Sequence, residues 1–375
     1  MILKLQSKAQ KIVLPVLLSG IFPVLLLLPA AITANNGDLK GKTTKEKTVK
    51  KEFEVNADAL LAVDNRYGNL NITSWDQNRI LIEVHIKTSG NDAENVQEKL
   101  DAIQIAFESG RDRVAARTVF VEDDSGWGWN WGRSNNVDMQ INYTIKLPVK
   151  GRVDLNNDYG SIILDRIDGH AKISCDYGRL DIGELNGREN QLNFDYTSKS
   201  TIGYIKSGKI SADYSGFVVQ KAGDLVIDAD YTNSAVEQMG NLQYSCDYGK
   251  IEIGEAQNVQ GTGDYINVQL GSVHGNVDIS ADYGSLKIDR MASDAGNLQI
   301  KTDYTGVKIG YDPEYHFRFE ISTSYAGLSG KDTFEITNSE EKNTSNYYKG
   351  YYGSSDSETS VSISSNYGGI TFYQN

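Results

Sequence analysis

From residue 151 to the end of the chain, apolar and polar side chains alternate in short runs separated by turn residues. In the segment 276–289, Val277 and Ile279 alternate with polar residues, and Leu286 and Ile288 resume the alternation after an Asp-Tyr-Gly sequence. A period of two is typical of half-buried β-strands. The segment therefore predicts two strands that meet at a corner.

The corner sequence Asp-Tyr recurs nine times at intervals of about eighteen residues. The pairs are Asp158-Tyr159, Asp176-Tyr177, Asp195-Tyr196, Asp213-Tyr214, Asp230-Tyr231, Asp247-Tyr248, Asp264-Tyr265, Asp282-Tyr283 and Asp303-Tyr304. Looser versions of the motif stand at Tyr67, Tyr325 and Tyr367. A fixed period of this size indicates stacked repeats that bury their apolar faces against their neighbours.

Eighteen residues of strand span at most about 60 Å, which leaves no room for a crossover helix. We therefore predict an all-β fold, in which residues 151–375 form a parallel β-solenoid with repeats stacked about 4.8 Å apart. Like positions in successive repeats would then form ladders along the stack.

The Asp-Tyr pair is interpreted as a structural corner. Asp can accept a backbone N–H two residues further on, and the Tyr ring can stack on rings of neighbouring repeats. Gly follows the pair in four repeats and Thr in three, so the position after Tyr is not expected to need a positive φ. Carboxylates about 4.8 Å apart repel by roughly 0.9 kcal/mol in water and about 3.5 kcal/mol at a dielectric constant of 20. The Asp residues must therefore be solvated, hydrogen-bonded or bridged by cations, and a divalent-cation ladder stays open as an alternative.

The first 52 residues differ from the rest of the chain. Residues 1–34 combine a Lys-containing start, a long apolar run and small residues up to Ala34, which is the layout of a secretory signal peptide. The length of the apolar run leaves an uncleaved membrane anchor as an alternative. Residues 35–52 are rich in Lys and are predicted to be a linker. We therefore expect an extracytoplasmic protein, located in the periplasm, at the cell surface or in the medium.

Residues 53–150 precede the repeats and are predicted to be mostly β with one short helix. Several segments alternate with period two, whereas the segment 91–103 places Val96 and Leu100 on one helical face. Asp92 and Glu94 suit the first turn of that helix.

Charge and motif content exclude several functions. The net charge is -13, whereas binding to nucleic acid or to an anionic membrane surface needs clustered Lys and Arg. The four His residues, His85, His170, His274 and His316, do not stand at metal-ligand spacing with one another or with Cys. No P-loop or hydrolase motif is present, and carboxylate pairs at glycosidase spacing would arise from repetition alone. We predict no catalytic residue, metal or cofactor.

Two aromatic-rich segments are candidate contact sites for a protein or glycan partner. The first, 126–132, has the alternative role of a hairpin tip or lid that packs on the first repeat. The second is a Tyr/Gly/Ser-rich loop near 341–360 that is expected to bulge from between the last strands. The candidate residues are Trp127, Trp129, Trp131, Tyr347, Tyr348, Tyr351 and Tyr352.

The two cysteines are predicted to be free, buried thiols. Cys175 and Cys246 each stand two residues before a corner Tyr, a position that alternation places inward. Four repeats separate them, which corresponds to about 19 Å along the stack. A disulfide requires Cα atoms within about 7 Å.

The order of the segment LAVDNRYGNLNITSWDQNRILIEV, a helix, and then INYTIKLPVKGRVDLNNDYGSIILDRIDGHAKISCDYGRLDI resembles the DUF4097-type adhesin family. That family is related to head domains of Bacteroidetes auto-transporter adhesins. The resemblance covers most of residues 53–375. It implies an exported β-strand-repeat solenoid with an adhesin-like function and implies no catalytic residue set.

We therefore predict an exported, non-enzymatic β-solenoid that interacts with a protein or glycan of the envelope or extracellular matrix. Two alternatives remain: a polysaccharide-binding or polysaccharide-cleaving β-helix protein, and an envelope sensor or scaffold with a membrane partner. A groove of clustered Asp, Lys and Arg would favour the enzyme, whereas smooth ladders without a cleft would favour the interaction protein.

Overall fold

The computed structural model of the protein describes residues 42–121 and 137–375. These residues form an all-β fold with one short helix, as predicted. Residues 1–34, the predicted signal peptide or anchor, lie outside the described residues. The described part of the chain contains no helix with the length and hydropathy needed to cross a bilayer.

The strands before residue 151 are β1 (Thr43–Glu54), β2 (Leu60–Arg66), β3 (Leu70–Trp75), β4 (Arg79–Gly90), β5 (Ile103–Ser109), β6 (Arg113–Phe120) and β7 (Val137–Pro148), with α1 (Ala93–Ala102) between β4 and β5. The repeats begin with β8 (Arg152–Asp158), β9 (Ser161–Ile167), β10 (Ala171–Asp176), β11 (Arg179–Leu185), β12 (Asn190–Asp195), β13 (Ser200–Asp213), β14 (Gly216–Asp230), β15 (Asn233–Met239), β16 (Asn241–Ser245) and β17 (Gly249–Ala256). They continue with β18 (Asn258–Asp264), β19 (Ile266–Val273), β20 (Val277–Met291), β21 (Leu298–Tyr311), β22 (Phe317–Ser324), β23 (Leu328–Ser329), β24 (Glu335–Glu341), β25 (Ser345–Tyr352), β26 (Ser360–Asn366) and β27 (Ile370–Gln374).

Strands of neighbouring repeats pair in parallel and form two ladders. The strands before each Asp-Tyr corner form the pre-corner ladder, in the order β2, β8, β10, β12, second half of β13, second half of β14, β16, β18, first half of β20, first half of β21, β26 and β22. The strands after each corner form the post-corner ladder, in the order β3, β9, β11, first half of β13, first half of β14, β15, β17, β19, second half of β20, second half of β21, β27 and β23.

Alternation places one apolar set of each ladder in a continuous core. Ile279 in the pre-corner ladder and Ile288 in the post-corner ladder are both buried, whereas the neighbouring Asp278 is exposed. Burying one such side chain contributes about 1.5–3 kcal/mol. Because most repeats contribute several buried side chains, the core stabilises the stack along its whole length.

The N-terminal strands extend both ladders at the start of the stack. β6 pairs in parallel with β2 and β7 with β3, while β4 runs antiparallel to both β7 and β1. The helix α1, whose buried residues are Val96 and Leu100, begins after Asp92, which accepts from the backbone N–H groups of Glu94 and Asn95.

The linker predicted over residues 35–52 is wrong from Thr43 onward, because that part belongs to β1. Val49 and Phe53 lie on one face of this strand and pack against the core, while Lys50 points to solvent on the other face. The strand was not recognised in the sequence, because Lys predominates and only two positions of its alternating pattern are strongly apolar.

The last repeats do not stack in the order of the sequence. β26 pairs with β21 on one side and with β22 on the other, and β27 lies in the same way between β21 and β23. The C-terminal segment is therefore inserted between two repeats that precede it in the chain.

Within the loop predicted near residues 341–360, Ser345–Tyr352 form strand β25, whereas residues 353–359 are turn and irregular structure. β25 pairs antiparallel with both β22 and β24, and Tyr348 on its inner face is buried. The loop prediction is therefore wrong for Ser345–Tyr352, because it rested on composition whereas one side of this segment packs against the aromatic core.

Candidate functional site

Twelve tyrosine rings stack in a single column, which we call the tyrosine ladder. In spatial order its members are Tyr67, Tyr159, Tyr177, Tyr196, Tyr214, Tyr231, Tyr248, Tyr265, Tyr283, Tyr304, Tyr367 and Tyr325. Ring centroids lie 4.6 Å apart between Tyr304 and Tyr367 and 5.3 Å apart between Tyr67 and Tyr159, with the other pairs between these limits. The looser versions of the motif therefore occupy the two ends of the ladder.

Every ladder tyrosine has a left-handed backbone conformation, with φ of 62° at Tyr67 and 50° at Tyr304. No residue directly after a ladder Tyr has a positive φ in the described chain, as expected. The sequence predicted the Asp-Tyr corner but not the positive φ of the tyrosine itself. This conformation costs about 1–2 kcal/mol for a non-glycine residue, while ring stacking contributes about 0.5–1.5 kcal/mol. Ring stacking alone therefore does not offset the cost of the left-handed conformation, and hydrogen bonds at the corner must contribute.

At most corners, two hydrogen bonds join the Asp-Tyr pair to the next repeat. The N–H of Tyr177 donates to the carbonyl oxygen of Asp195 (3.1 Å), and the N–H of Asp195 donates to the Asp176 carboxylate (3.3 Å). The same carboxylate contact recurs from Asp213 to Asp195, Asp230 to Asp213, Asp247 to Asp230, Asp264 to Asp247 and Asp303 to Asp282. The donor predicted two residues further along the chain is wrong, because parallel register brings the N–H of the next repeat to the carboxylate instead.

These aspartates form a second column, the aspartate ladder, whose end residues each have a side-chain partner. Arg66 forms an ion pair with Asp158 (3.1 Å) at one end, and the Asn366 amide donates to Asp303 (2.6 Å) at the other. Burial, and then the charge of neighbouring aspartates, raises the pKa of Asp195. Within residues 42–121 and 137–375, no three His, Cys, Asp or Glu side chains converge as metal ligands would. Backbone N–H groups of the next repeat thus satisfy the carboxylates of Asp176, Asp195, Asp213, Asp230, Asp247 and Asp282.

The stacking restricts what the tyrosine ladder can bind. Each inner ring has a neighbour on both faces, so a residue such as Tyr214, 53% exposed, presents its edge and hydroxyl to solvent. A sugar or aromatic ligand that needs a free ring face cannot use these residues. The ladder is therefore a structural spine that presents a row of hydroxyl groups.

The outer face of the pre-corner ladder carries two rows of polar side chains beside this spine. We call the row nearer the start of the strands the asparagine row: Glu189, Ser207, Asp224, Asn241, Asn258, Asn276 and Asn297. Two residues further along the strands lies the glutamine row: Gln191, Lys209, Val226, Gln243, Gln260, Asp278 and Gln299. Uncharged amides predominate in both rows.

A groove of about 780 Å³ follows these rows across six repeats, from Glu189–Gln191 to Asn276–Asp278. Sequence reasoning did not identify this site. A signal was present, because Asn241, Asn258 and Asn276 each stand seven residues before a ladder Tyr, and Gln243 and Gln260 each stand five before one. The groove is a candidate binding site.

The structure places the four predicted contact tyrosines of β25 apart from this groove. Trp127, Trp129 and Trp131 lie outside the described residues. Tyr348 is buried with its hydroxyl on Glu341 (2.8 Å), and Tyr352 packs edge-on against Tyr311. Tyr347 and Tyr351 are partly exposed on the opposite side of β25 and stay candidate contact residues.

The two cysteines are free and buried, as predicted. Burial raises the pKa of each thiol to about 12. Neither thiol is therefore activated as a nucleophile, since the thiolate is the reactive form.

The histidines contribute to separate surface contacts. His85 lies 3.2 Å from Glu46, and His274 lies 2.9 Å from Asp294. The other ring nitrogen of His274 lies 3.8 Å from Glu255, so carboxylates face both nitrogens of this imidazole.

No family model matches this chain, and no curated protein matches it, so membership of the DUF4097-type family stays a prediction. Among solved structures, a "putative cell adhesion protein" from Clostridium sporogenes is 13% identical and aligns over 88% of this chain and 100% of its own, with a TM-score of 0.19. A "putative adhesin" from Parabacteroides merdae is 9% identical over 87% and 96% of the two chains, with a TM-score of 0.35. A "putative lipid binding protein" from Parabacteroides distasonis is 11% identical over 87% and 96%, with a TM-score of 0.25. These likenesses carry no argument about what this chain binds.

Proposed function

We propose that this chain is an exported, adhesin-like interaction protein without catalytic activity, which contacts a partner in the envelope, the matrix or at a cell surface. In this proposal the pre-corner and post-corner ladders are the two faces of a β-solenoid. The pre-corner face acts as an extended binding surface.

The observation that carries the proposal is the character of the pre-corner face. Its outer rows repeat uncharged amide groups over many repeats, and a groove follows them. Repeated identical positions favour a long ligand held by many weak contacts rather than a small substrate held at one reacting centre. The enzyme alternative called for a groove of clustered Asp, Lys and Arg, and amides dominate this one.

Export is part of the proposal and rests on the sequence of residues 1–34. The full-length chain expressed in a bacterial host should be recovered outside the cytoplasm, and a mature protein should begin near Asn35. N-terminal sequencing that finds Met1 in a soluble cytosolic pool would refute this part.

Binding without turnover is tested with the purified protein on immobilised envelope polysaccharides and matrix proteins. We expect retention of the protein on at least one surface and no soluble fragment released from it over hours. Sustained release of oligosaccharide would replace the proposal with the polysaccharide-cleaving alternative. Retention on none of the surfaces would remove the adhesin-like role.

A further inference from the structure

We propose that the groove along the glutamine row binds an uncharged, extended glycan whose chain runs along the stack. This inference rests on the proposed function, because it names the class of ligand for the pre-corner face. The groove spans six repeats, which at the spacing of parallel strands is about 24 Å. One extended pyranose unit is close in length to one repeat of the stack, so successive sugars would meet successive positions of the row, with Gln243 and Gln260 on adjacent repeats.

The glutamine row holds the groups available for a ligand. Gln191, Gln243 and Gln260 are exposed, and within residues 42–121 and 137–375 their amides take part in no hydrogen bond. A glutamine amide offers two donors and an acceptor, which matches a pair of neighbouring sugar hydroxyls. Gln243 and Gln260 therefore offer the same pair of functions on adjacent repeats, and Gln191 offers it again three repeats away.

The asparagine row is a fixed rim beside these free amides. The Asn258 amide donates to Asn241 (2.7 Å), and the Asn258 oxygen in turn accepts from the N–H of Asn276 (2.7 Å). At the start of this chain of bonds the Asn241 amide donates to Asp224 (2.6 Å). Because these amides already have partners, they shape the groove and leave recognition to the glutamine row.

The charges of the groove exclude a polyanion. Glu189, Asp224 and Asp278 line it, and the one lysine among its lining residues, Lys209, is paired with Asp228 (3.0 Å). An acidic polysaccharide or a nucleic acid would approach unpaired carboxylates without a compensating cation. A ligand rich in hydroxyls and free of charge meets no such penalty.

An extended peptide fits this site less well than a glycan. Peptides that bind sheets gain affinity from main-chain hydrogen bonds to an unpaired edge strand. Here β16 is paired on both sides, with β14 and β18, so its backbone has no free edge to offer. Recognition must come from side chains alone, which favours a ligand covered in hydroxyl groups.

The inference is tested by affinity gel electrophoresis of the full chain in gels that contain soluble cellulose derivatives without charge, xylan, mannan or dextran, with alginate as an acidic polysaccharide. The test variant is Gln243→Ala/Gln260→Ala. The control is Gln220→Ala/Gln257→Ala, which removes two exposed glutamines outside the groove. Matched thermal melts confirm that both variants fold.

We expect at least one uncharged glycan to retard the wild-type chain, and the test variant to bind it about tenfold more weakly or worse while the control is unchanged. The inference is overturned if no uncharged glycan retards the chain, if alginate is preferred, or if the test variant binds like wild type. Binding to a matrix protein without any glycan would overturn the inference and leave the proposed function standing. Glycan binding accompanied by cleavage would keep the groove and refute the non-enzymatic role.

Discussion

At the scale of single residues, the recurring Asp-Tyr pair has two roles, one for the tyrosine and one for the aspartate. The tyrosine adopts a left-handed conformation to turn the chain, and its ring is stabilised by the rings of adjacent repeats. The aspartate accepts the backbone N–H of the equivalent aspartate one repeat away. Neither the tyrosine ring nor the aspartate carboxylate finds its partner within its own repeat. A single copy of the motif would therefore be a poor turn, whereas many copies make a stable stack.

The inward phase of the strands predicts which truncations destabilise the protein. Ile279→Ala removes a fully buried side chain and should lower the free energy of unfolding by about 2–5 kcal/mol. Asp278→Ala, the exposed neighbour, should change it by less than about 0.5 kcal/mol. Urea denaturation of both variants provides the comparison, and equal losses would show that the strand faces are assigned wrongly.

The buried thiols predict a clear reactivity pattern. With each thiol pKa raised to about 12 by burial, Cys175 and Cys246 are almost entirely protonated near pH 8 and shielded from reagents. A chromogenic disulfide reagent should label neither cysteine in the native protein and both after unfolding. Rapid labelling of the native chain would contradict the buried position, and the variants Cys175→Ala and Cys246→Ala identify which site reacted.

At the scale of elements, the aspartate ladder combines stabilising hydrogen bonds between repeats with repulsion between neighbouring carboxylates. The Asp195 carboxylate accepts from Asp213 N–H (3.0 Å) and lies beside the charges of Asp176 and Asp213. The repulsion and the partial burial both raise its pKa in the folded state. A raised acid pKa means that the folded protein holds this proton more tightly than the unfolded chain. Stability therefore falls as pH rises from the ordinary Asp value of about 3.9 through the raised pKa.

Asp195→Asn separates the two effects, because the amide oxygen keeps the acceptor while the charge is removed. Near neutral pH we expect the free energy of unfolding to rise by on the order of 0.5–1 kcal/mol, reduced by added salt. The gain should disappear below about pH 4, where the wild-type carboxyl is protonated. Asp195→Ala removes the acceptor and should instead cost about 1–3 kcal/mol. An Asn variant that is less stable than wild type at neutral pH would show that the charge itself is needed.

The sequence predicts an element when the residues that determine its structure lie within the element itself. The repeats from Tyr159 to Tyr304 were predictable, because each has the same alternation and the same corner. Tyr325 and Tyr367 have equivalent local signals, so nothing near them indicates which stacks on Tyr304. β25 occupies one side of β22, which leaves the other side for β26 and so reverses the expected order. The rows of the groove likewise depend on register between distant strands, although their fixed offsets from Tyr were visible.

At the scale of the whole molecule, the inserted C-terminal segment joins the last repeat of the stack to the one before it. Its inward-facing side chains are buried between repeats that precede the segment in the sequence; they are Val361, Ile363, Ile370 and Phe372. The strand β26 pairs in parallel with both β21 and β22. The repeats of residues 298–324 are thus held together by the last strands of the chain rather than by direct pairing with each other.

This arrangement predicts which engineered cysteine pairs can form a disulfide. In register, Ser362 lies between Gln299 and Glu320, and all three residues are exposed on the outer face of the pre-corner ladder. Adjacent parallel strands lie about 4.8 Å apart, within the Cα range of a disulfide, whereas two spacings amount to about 10 Å and exceed the limit of about 7 Å. In a Cys175→Ala/Cys246→Ala background, Gln299→Cys/Ser362→Cys should therefore crosslink on mild oxidation, and Gln299→Cys/Glu320→Cys should not. Mass spectrometry of the unreduced protein distinguishes the pairs. If the repeats stacked in sequence order, β22 would lie directly on β21 and the second pair would crosslink instead, which would refute the insertion.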